Sequence, residues 1–361
     1  MMDDKDNGAK IMKQFDYKTL NNLNYTNSLV NKLNQIYNLR GKTDSYETNY
    51  QDTLDRLIEV AKVQSTSSSN RIEGIYTTSQ RMNQIMMNKT QPKNRNEREI
   101  SGYRDVLKLI HEQYDYIPIT VNSILEMHKQ LFAYTGSTWG GSFKDSNNQI
   151  ITKYSDGTQE VRFNPPAAYL APELVRDLCD AYNKGVESGE ISPLLLSGAF
   201  IFDFVSIHPF RDGNGRMSRL LMLLTMYKAG FDVGKYISIE KSIEETKLAY
   251  YQALKESSNG WMSNTNSYLP FLEYFLGIVL KDYREFNERL NIVNQSDLPV
   301  DKLVLKTMRQ ALKPLSIKEL TNMIPQYSEI TIRRAIRKLR NNDKVIKIGE
   351  ARATKYELKQ N

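Results

Sequence analysis

Residues 194–227 read LLLSGAFIFDFVSIHPFRDGNGRMSRLLMLLTMY. Two arms, Leu194–Ile207 and Met217–Tyr227, are almost continuously apolar, and the polar segment HPFRDGNGR (208–216) lies between them. The length of the arms and their Leu and Met content predict buried helices, although Ile201–Ile207 taken alone has strand character. Pro209 should stop the first helix near His208, because the residue before a proline is pushed away from the α region. The polar segment is thus a loop held by the core from both sides.

Its residues carry chemistry. Gly213 and Gly215 permit backbone shapes that expose successive amides, and Asn214 and its successors can begin the second helix with its positive end facing the loop. Such a turn binds an anion. Arg216, in the first helical turn, opposes the helix dipole unless it faces a phosphate, and Arg219 lies three residues on, on about the same face. His208 is the natural general base, with an ordinary pKa of about 6.5. Asp212 offers a hard oxygen to Mg²⁺, and Phe210 should point into the core. A histidine at a helix end is by itself usually structural, and Asp-Gly-Asn-Gly by itself is usually a turn. Their combination between two apolar arms argues for a site.

Working outward, Leu29, Leu33 and Ile36 predict weak helices within residues 1–50. Leu54, Leu57, Ile58, Val60 and Ala61 predict a one-faced helix over 52–63. The polar run Gln64–Asn70 is expected to interrupt it, since short hydroxyl and amide side chains compete for backbone hydrogen bonds, and a second short helix should run from there into Met82–Met87. Ile100, Tyr103, Val106, Leu107 and Ile110 give another amphipathic helix; Ile124, Met127, His128 and Leu131 give the next. Thr135–Arg162 is rich in Gly, Ser, Asn and Asp and reads as a loop and hairpin, with Ile150–Tyr154 leading into Asp156–Gly157. Helices resume at Ala168–Tyr182, Ser242–Leu254 and Tyr268–Leu290, and Asn291–Pro299 has linker composition. His111 and His128 stand apart from any metal-ligand set and read as structural or solvent-facing.

The loop resembles the signature of the Fic domain proteins: His-Pro-Phe, one variable residue, Asp or Glu, Gly-Asn-Gly-Arg, two variable residues and Arg. His208, Pro209, Phe210, Asp212, Gly213, Asn214, Gly215, Arg216 and Arg219 match it without departure. The resemblance spans about residues 60 to 285. It implies an all-α fold, mainly helical with a small β-hairpin flap, and transfer of AMP from ATP to a protein hydroxyl with release of pyrophosphate. His208 would then be the catalytic base, and Asp212 would hold Mg²⁺, or Mn²⁺ in its place. Gly213, Asn214, Gly215 and Arg216 would bind the phosphates, and Arg219 would meet the terminal one. Another nucleotide, phosphoryl or phosphocholine donor could use much of the same anion pocket. A hairpin around residues 140–154, begun by Gly140, Gly141 and Lys144, resembles the family's target-binding flap. By strand addition it would align a protein substrate, this chain included, and bring a Ser, Thr or Tyr hydroxyl to His208.

Ser69-Asn-Arg-Ile-Glu73-Gly74 resembles the family's inhibitory motif. Ser69 is expected to cap a short helix and Glu73 to reach Arg219, occupying the arginine and crowding the terminal phosphate with like charge. The alternative is a capped surface helix with a solvated Glu73. The resemblance implies an enzyme autoinhibited by Glu73, and leaves open a second role for Glu73 in positioning water for AMP removal.

The formal charge of +7 is unevenly spread. Residues 301–361 hold 15 Lys and Arg against 6 Asp and Glu, whereas the first 300 residues hold 34 against 36. Val300–Leu312, a helix capped by Ser316 and ending at Ile324, and another from Ser328 to about Arg340 precede two strand-like pieces, 344–348 and 354–358. This resembles a winged helix-turn-helix domain, which implies a recognition helix with Arg333, Arg334, Arg337, Lys338 and Arg340 outward and Ile332, Ala335, Ile336 and Leu339 inward. Its partner would be DNA or a protein. The expected division is 1–95, a helical region with the inhibitory helix; 96–290, the catalytic core; 291–300, a linker; and 301–361, the winged helix domain. A competing reading is a DNA-binding transcriptional regulator whose Fic-like body senses nucleotide. Cys179 is the only cysteine, and the acidic, polar start and the lack of any stretch near the ~20 apolar residues of a membrane span lead to a cytoplasmic expectation with no membrane partner. Helix-rich surfaces permit a homodimer, with no coiled-coil repeat to fix its stoichiometry.

Overall fold

The computed structural model describes residues 13–44, 51–153, 159–293, 299–311, 313–325, 327–350 and 354–359. In chain order the elements are α1 (Asn27–Asp44), α2 (Gln51–Ile72), α3 (Ser79–Met86), α4 (Arg95–Gln113) and α5 (Val121–Leu131). The hairpin strands β1 (Ile150–Lys153) and β2 (Gln159–Phe163) follow. Next come α6 (Ala171–Ser188), α7 (Pro193–Ile207), α8 (Asn214–Lys228), α9 (Ile239–Glu245), α10 (Lys247–Ser258) and α11 (Leu269–Val293). The last elements are α12 (Val300–Ala311), α13 (Ile317–Met323), α14 (Glu329–Asn341), β3 (Val345–Ile348) and β4 (Lys355–Leu358). Two compact units result. One takes in Lys62–Asp232 and Ser238–Val279 with the chain before Gln35; the other takes in Gln35–Ala61, Val233–Ile237 and Leu280–Asn361.

The fold is mainly α-helical, as expected. In the first unit α7 and α8 are the apolar arms of the sequence, and nearly every residue of both is buried. Pro193 opens α7 in the first turn, where its missing N–H is no loss. α7 packs between α6 and α8, and α4 packs on α5 and α8. This sandwich of apolar helices fixes both ends of the 208–213 loop.

The expected break at Gln64–Asn70 does not occur, because α2 runs through it to Ile72. Ser65, Thr66, Ser68, Ser69 and Asn70 are fully buried; Asn70 Nδ2 donates back to Thr66 O, and the Ser65 and Ser69 hydroxyls find tertiary partners. Ser65 Oγ donates to Ser238 Oγ at 2.9 Å, and the Ser69 hydroxyl accepts from Arg219. Partners of this kind override weak intrinsic helix propensity. Ser69 is therefore no cap: it sits in the last turns of α2, and α3 starts separately under its own cap, Thr78.

The hairpin also begins later than expected. β1 and β2 pair antiparallel from Ile150↔Phe163 to Lys153↔Gln159, with an irregularity at Ile150/Ile151, and residues 140–149 form no strand. The Asp156–Gly157 turn lies outside the described residues. In the second unit, α12–α14 enclose Leu303, Val304, Leu320, Ile332 and Ile336, and β3 pairs antiparallel with β4. Ser316 and Glu319 form a reciprocal capping box on α13, Ser328 caps α14, and Leu315 exchanges backbone hydrogen bonds with Tyr356. α11 continues to Val293, into the stretch expected as a linker, of which 294–298 lie outside the described residues. Leu312 and residues 351–353 also lie outside them.

Candidate active site

α7 ends at Ile207, as Pro209 predicts, and His208 adopts φ 48° and ψ 59°, a left-handed conformation outside the right-handed α region. Hydrogen bonds hold it there. The His208 amide donates to Phe204 O, the Lys144 amide donates to Pro209 O at 2.9 Å, and Asn148 Nδ2 donates to His208 Nδ1 at 2.9 Å. Asn214 closes the loop on itself: its Oδ1 accepts from the Phe210 amide at 2.9 Å and its Nδ2 donates to Phe210 O at 2.8 Å.

Beneath the loop, Phe210 is fully buried and stacks on His128, ring centroids 3.7 Å apart. His128 Nε2 donates to Asp212 O at 3.1 Å while Nδ1 accepts from the Gly141 amide at 2.9 Å. Burial pushes this imidazole down to about 4. His128 is thus a neutral structural bridge between α5, the 141–148 segment and the loop.

Above the loop, Arg219 is only 2% exposed. Its Nη2 meets Glu73 Oε1 at 2.8 Å and Ser69 O at 2.9 Å, and its Nε donates to Ser69 Oγ at 2.8 Å. Desolvation pushes the Glu73 carboxyl up, but the charge and hydrogen bond of Arg219 more than reverse this and hold it below the ordinary carboxylate range. A Cβ on Gly215 would lie 2.2 Å from Glu73 Oε1, so only glycine lets a carboxylate come this close to the first turn of α8. Glu73 already fills that place. Gly74 turns the chain away immediately behind it with φ 79°, and Lys247 Nζ donates to Ile72 O at 2.7 Å, tying the end of α2 to α10.

Glu73, His208, Gly215 and Arg219 line one cavity of about 530 Å³, and Tyr251 and Arg162 line it too. The Arg162 guanidinium lies 4.5 Å over the Tyr251 ring, and burial lowers the arginine and pushes the phenol up to about 12. The cavity is of the size and composition to take a nucleotide-like ligand, since Arg162, Arg219 and Lys247 share its lining with Val205, Tyr250, Tyr251 and Leu254.

The remaining residues singled out in the sequence lie beside this cavity. Arg216 is 1% exposed and its guanidinium meets Glu99 Oε2 at 2.7 Å and lies 5.1 Å over the Phe132 ring, while its buried Nε has no hydrogen-bond partner among the described residues. Asp212 is half-exposed; Oδ1 accepts from the Gly213 amide at 2.6 Å and lies 3.6 Å from Arg216 Nη2, while Oδ2 lies 3.8 Å from Arg95 Nη2. Among the described residues no three His, Cys, Asp or Glu side chains enclose a metal. Asp212 Oδ2 is the hard oxygen that would hold a divalent cation here. Asn148, Glu99, Arg162 and Tyr251 did not stand out in the sequence, because each is an ordinary polar or aromatic residue far along the chain from the loop it serves.

Residues 118–226 match the family model of the Fic/DOC family. The chain carries a Fic domain. Proteins named protein adenylyltransferase Fic are its relatives: that of Drosophila sechellia is 27% identical over 232 residues, 64% of this chain and 42% of that protein. That of Drosophila willistoni is 29% identical over 202 residues, 56% of this chain and 35% of that protein. The chain therefore spans well under half the length of these relatives. Among solved structures, a Fic family protein from Desulfovibrio desulfuricans superimposes with a TM-score of 0.61 at 20% identity, over 94% of this chain and 98% of that one. A Fic domain signaling protein from Bacteroides thetaiotaomicron gives 0.59 at 22% identity, over 70% of this chain and 94% of that one. These two establish that the Fic fold is shared. The matched residues include the 208–213 loop and the first turns of α8.

Proposed function

We propose that this Fic-domain chain is a protein adenylyltransferase that transfers AMP from ATP to a Ser, Thr or Tyr hydroxyl and is restrained by Glu73. One observation carries the reading: the Glu73 carboxylate sits on Gly215 and Arg219, at the mouth of the α8 N-terminus, in the cavity that His208 also lines. A carboxylate there is a phosphate mimic in place. It neutralises the arginine a terminal phosphate needs and repels that phosphate by like charge.

With Glu73 withdrawn, the first-turn amides of α8 and the Arg219 guanidinium face the anion site, and their placement before the reaction is what stabilises charge developing on the transferred phosphate. His208 takes the proton of the incoming hydroxyl. Mg²⁺ held by Asp212 would neutralise charge between the phosphates of ATP. The hairpin β1–β2 offers backbone hydrogen bonds to an extended acceptor peptide. In this reading Glu73 would also orient a water for AMP removal at the same groups. Intact-mass measurement of Glu73→Gly after incubation with ATP, Mg²⁺ and candidate proteins tests the reading. Gain of an adenylyl group, absent or much smaller in wild type, is expected; no gain on any protein, itself included, would remove the restraint.

The topology of α12–α14 followed by β3–β4 supports a second, separate reading, a winged helix. Arg334, Arg337 and Arg340 on α14 are exposed while Ile332, Ile336 and Leu339 are buried, which favours contact with the phosphates of duplex DNA.

A further inference from the structure

Two carboxamides converge on one nitrogen of His208. Asn148 Nδ2 lies 2.9 Å and Asn214 Nδ2 3.3 Å from Nδ1. Independent partners fix which end of each amide faces the ring. Asn148 Oδ1 accepts from Lys144 Nζ at 2.9 Å, while its Nδ2 also donates to Phe210 O at 3.2 Å. Asn214 Oδ1 accepts from the Phe210 amide, while its Nδ2 donates to the Phe210 carbonyl. Each side chain therefore turns an NH₂ group to Nδ1, and such a group only donates. Nδ1 has to accept. Burial, and then the charge of Lys144, lower His208 to about 4, so the ring is neutral at pH 7 and holds a single proton. With Nδ1 accepting, that proton is on Nε2, the nitrogen left to face the cavity.

We propose that Asn148 is the positioning residue that sets the tautomer of His208, and that Lys144 holds it in the setting where Nε2 donates. The consequence for catalysis rests on the adenylyl-transfer reading. In the observed setting Nε2 has no lone pair for a hydroxyl proton. Turning the Asn148 carboxamide over replaces the shorter of the two contacts with Oδ1, the 3.3 Å contact from Asn214 is given up, Nδ1 takes the proton, and Nε2 becomes a base. The acceptor hydroxyl then gives its proton to Nε2 as its oxygen bonds to the α-phosphorus and the bond from that phosphorus to the pyrophosphate oxygen breaks. The resulting imidazolium keeps its Nδ1–H on Asn148 Oδ1. Unturned, the same ring is a donor, suited to returning a proton to a departing hydroxyl oxygen. Asn148 thus selects which direction of proton transfer the site supports.

The ring nitrogens of the full chain can be read by long-range ¹H–¹⁵N correlation at neutral pH, without nucleotide. The chain has three histidines, and loss of one set of signals in His208→Gln assigns the third. We expect the wild-type His208 proton on Nε2, its transfer to Nδ1 in Asn148→Asp, whose carboxylate only accepts, and a mixture of tautomers in Lys144→Met. In a Glu73→Gly background, Asn148→Asp should raise kcat for labelling by roughly tenfold with KM for ATP unchanged. A wild-type proton on Nδ1, or one that stays on Nε2 in both variants, overturns the proposal. Should Asn148→Asp not fold, the wild-type and Lys144→Met spectra decide it. Absence of labelling in every variant would instead overturn adenylyl transfer, with the tautomer assignment standing.

Discussion

The Glu73–Arg219 pair shows how much one side chain can decide. Ser69 and Arg219 also meet, so removing the Ser69 hydroxyl should weaken the hold on the arginine without freeing the cavity. Ser69→Ala is expected to give labelling activity between wild type and Glu73→Gly; activity equal to wild type in a quantitative assay would show that the carboxylate alone sets the restraint. The two depressed imidazoles have a thermodynamic signature. His128 and His208 both lie near 4, whereas unfolded histidine titrates at about 6.5. Between those values the unfolded chain binds more protons than the folded one, so stability is complete above about 6.5 and falls as pH drops toward 4. The chemical-denaturation midpoint at pH 5 should lie below that at pH 7, and His128→Gln should reduce the difference. Equal midpoints would refute neutral burial of these rings. At this scale the loop was legible, because its chemistry is contiguous. The Asn148 contact was not, since nothing in a polar loop marks which amide meets a ring 60 residues away.

Elements were read well where apolar spacing was strong, as in α7, α8 and α14, and misread where polar residues are buried. α2 is the instructive case, for the run Gln64–Asn70 looked like a helix stop until Ser238 and Arg219 supplied partners for the Ser65 and Ser69 hydroxyls. The hairpin was foreseen but placed early: residues 140–149 form no strand and are instead stitched to the loop by Lys144 and to His128 by Gly141. The end of α2 has a backbone requirement of its own at Gly74, whose φ of 79° suits glycine or asparagine. Gly74→Val should destabilise the fold by about 1–2 kcal/mol and raise basal labelling as Glu73 loses its placement, while Gly74→Asn should leave both nearly unchanged. Thermal melts with parallel labelling assays check this; equal effects of the two substitutions would show that the left-handed turn is not what places Glu73.

Across the whole chain the charge map and the fold agree in outline. The neutral body carries the Fic domain and the basic residues gather in the C-terminal elements, a division that local charge counting shows because it needs no tertiary information. The extent of the compact units was not legible, since residues 35–61 belong with C-terminal segments hundreds of positions away. If α14 contacts duplex DNA, binding by the full chain should fall steeply with salt, and Arg334→Ala with Arg337→Ala should flatten that slope by about 2 on logarithmic axes. Salt-insensitive or unaltered binding in a titration by fluorescence anisotropy would point to a protein partner for the same face.

The left-handed backbone at His208 governs how loss-of-function results at this position should be interpreted. Alanine there deletes the imidazole and also asks an ordinary side chain to occupy a conformation few residues tolerate, so its phenotype mixes chemistry with loop distortion. Asparagine is at ease in that region. It is the cleaner substitution, removing the imidazole while suiting the left-handed turn.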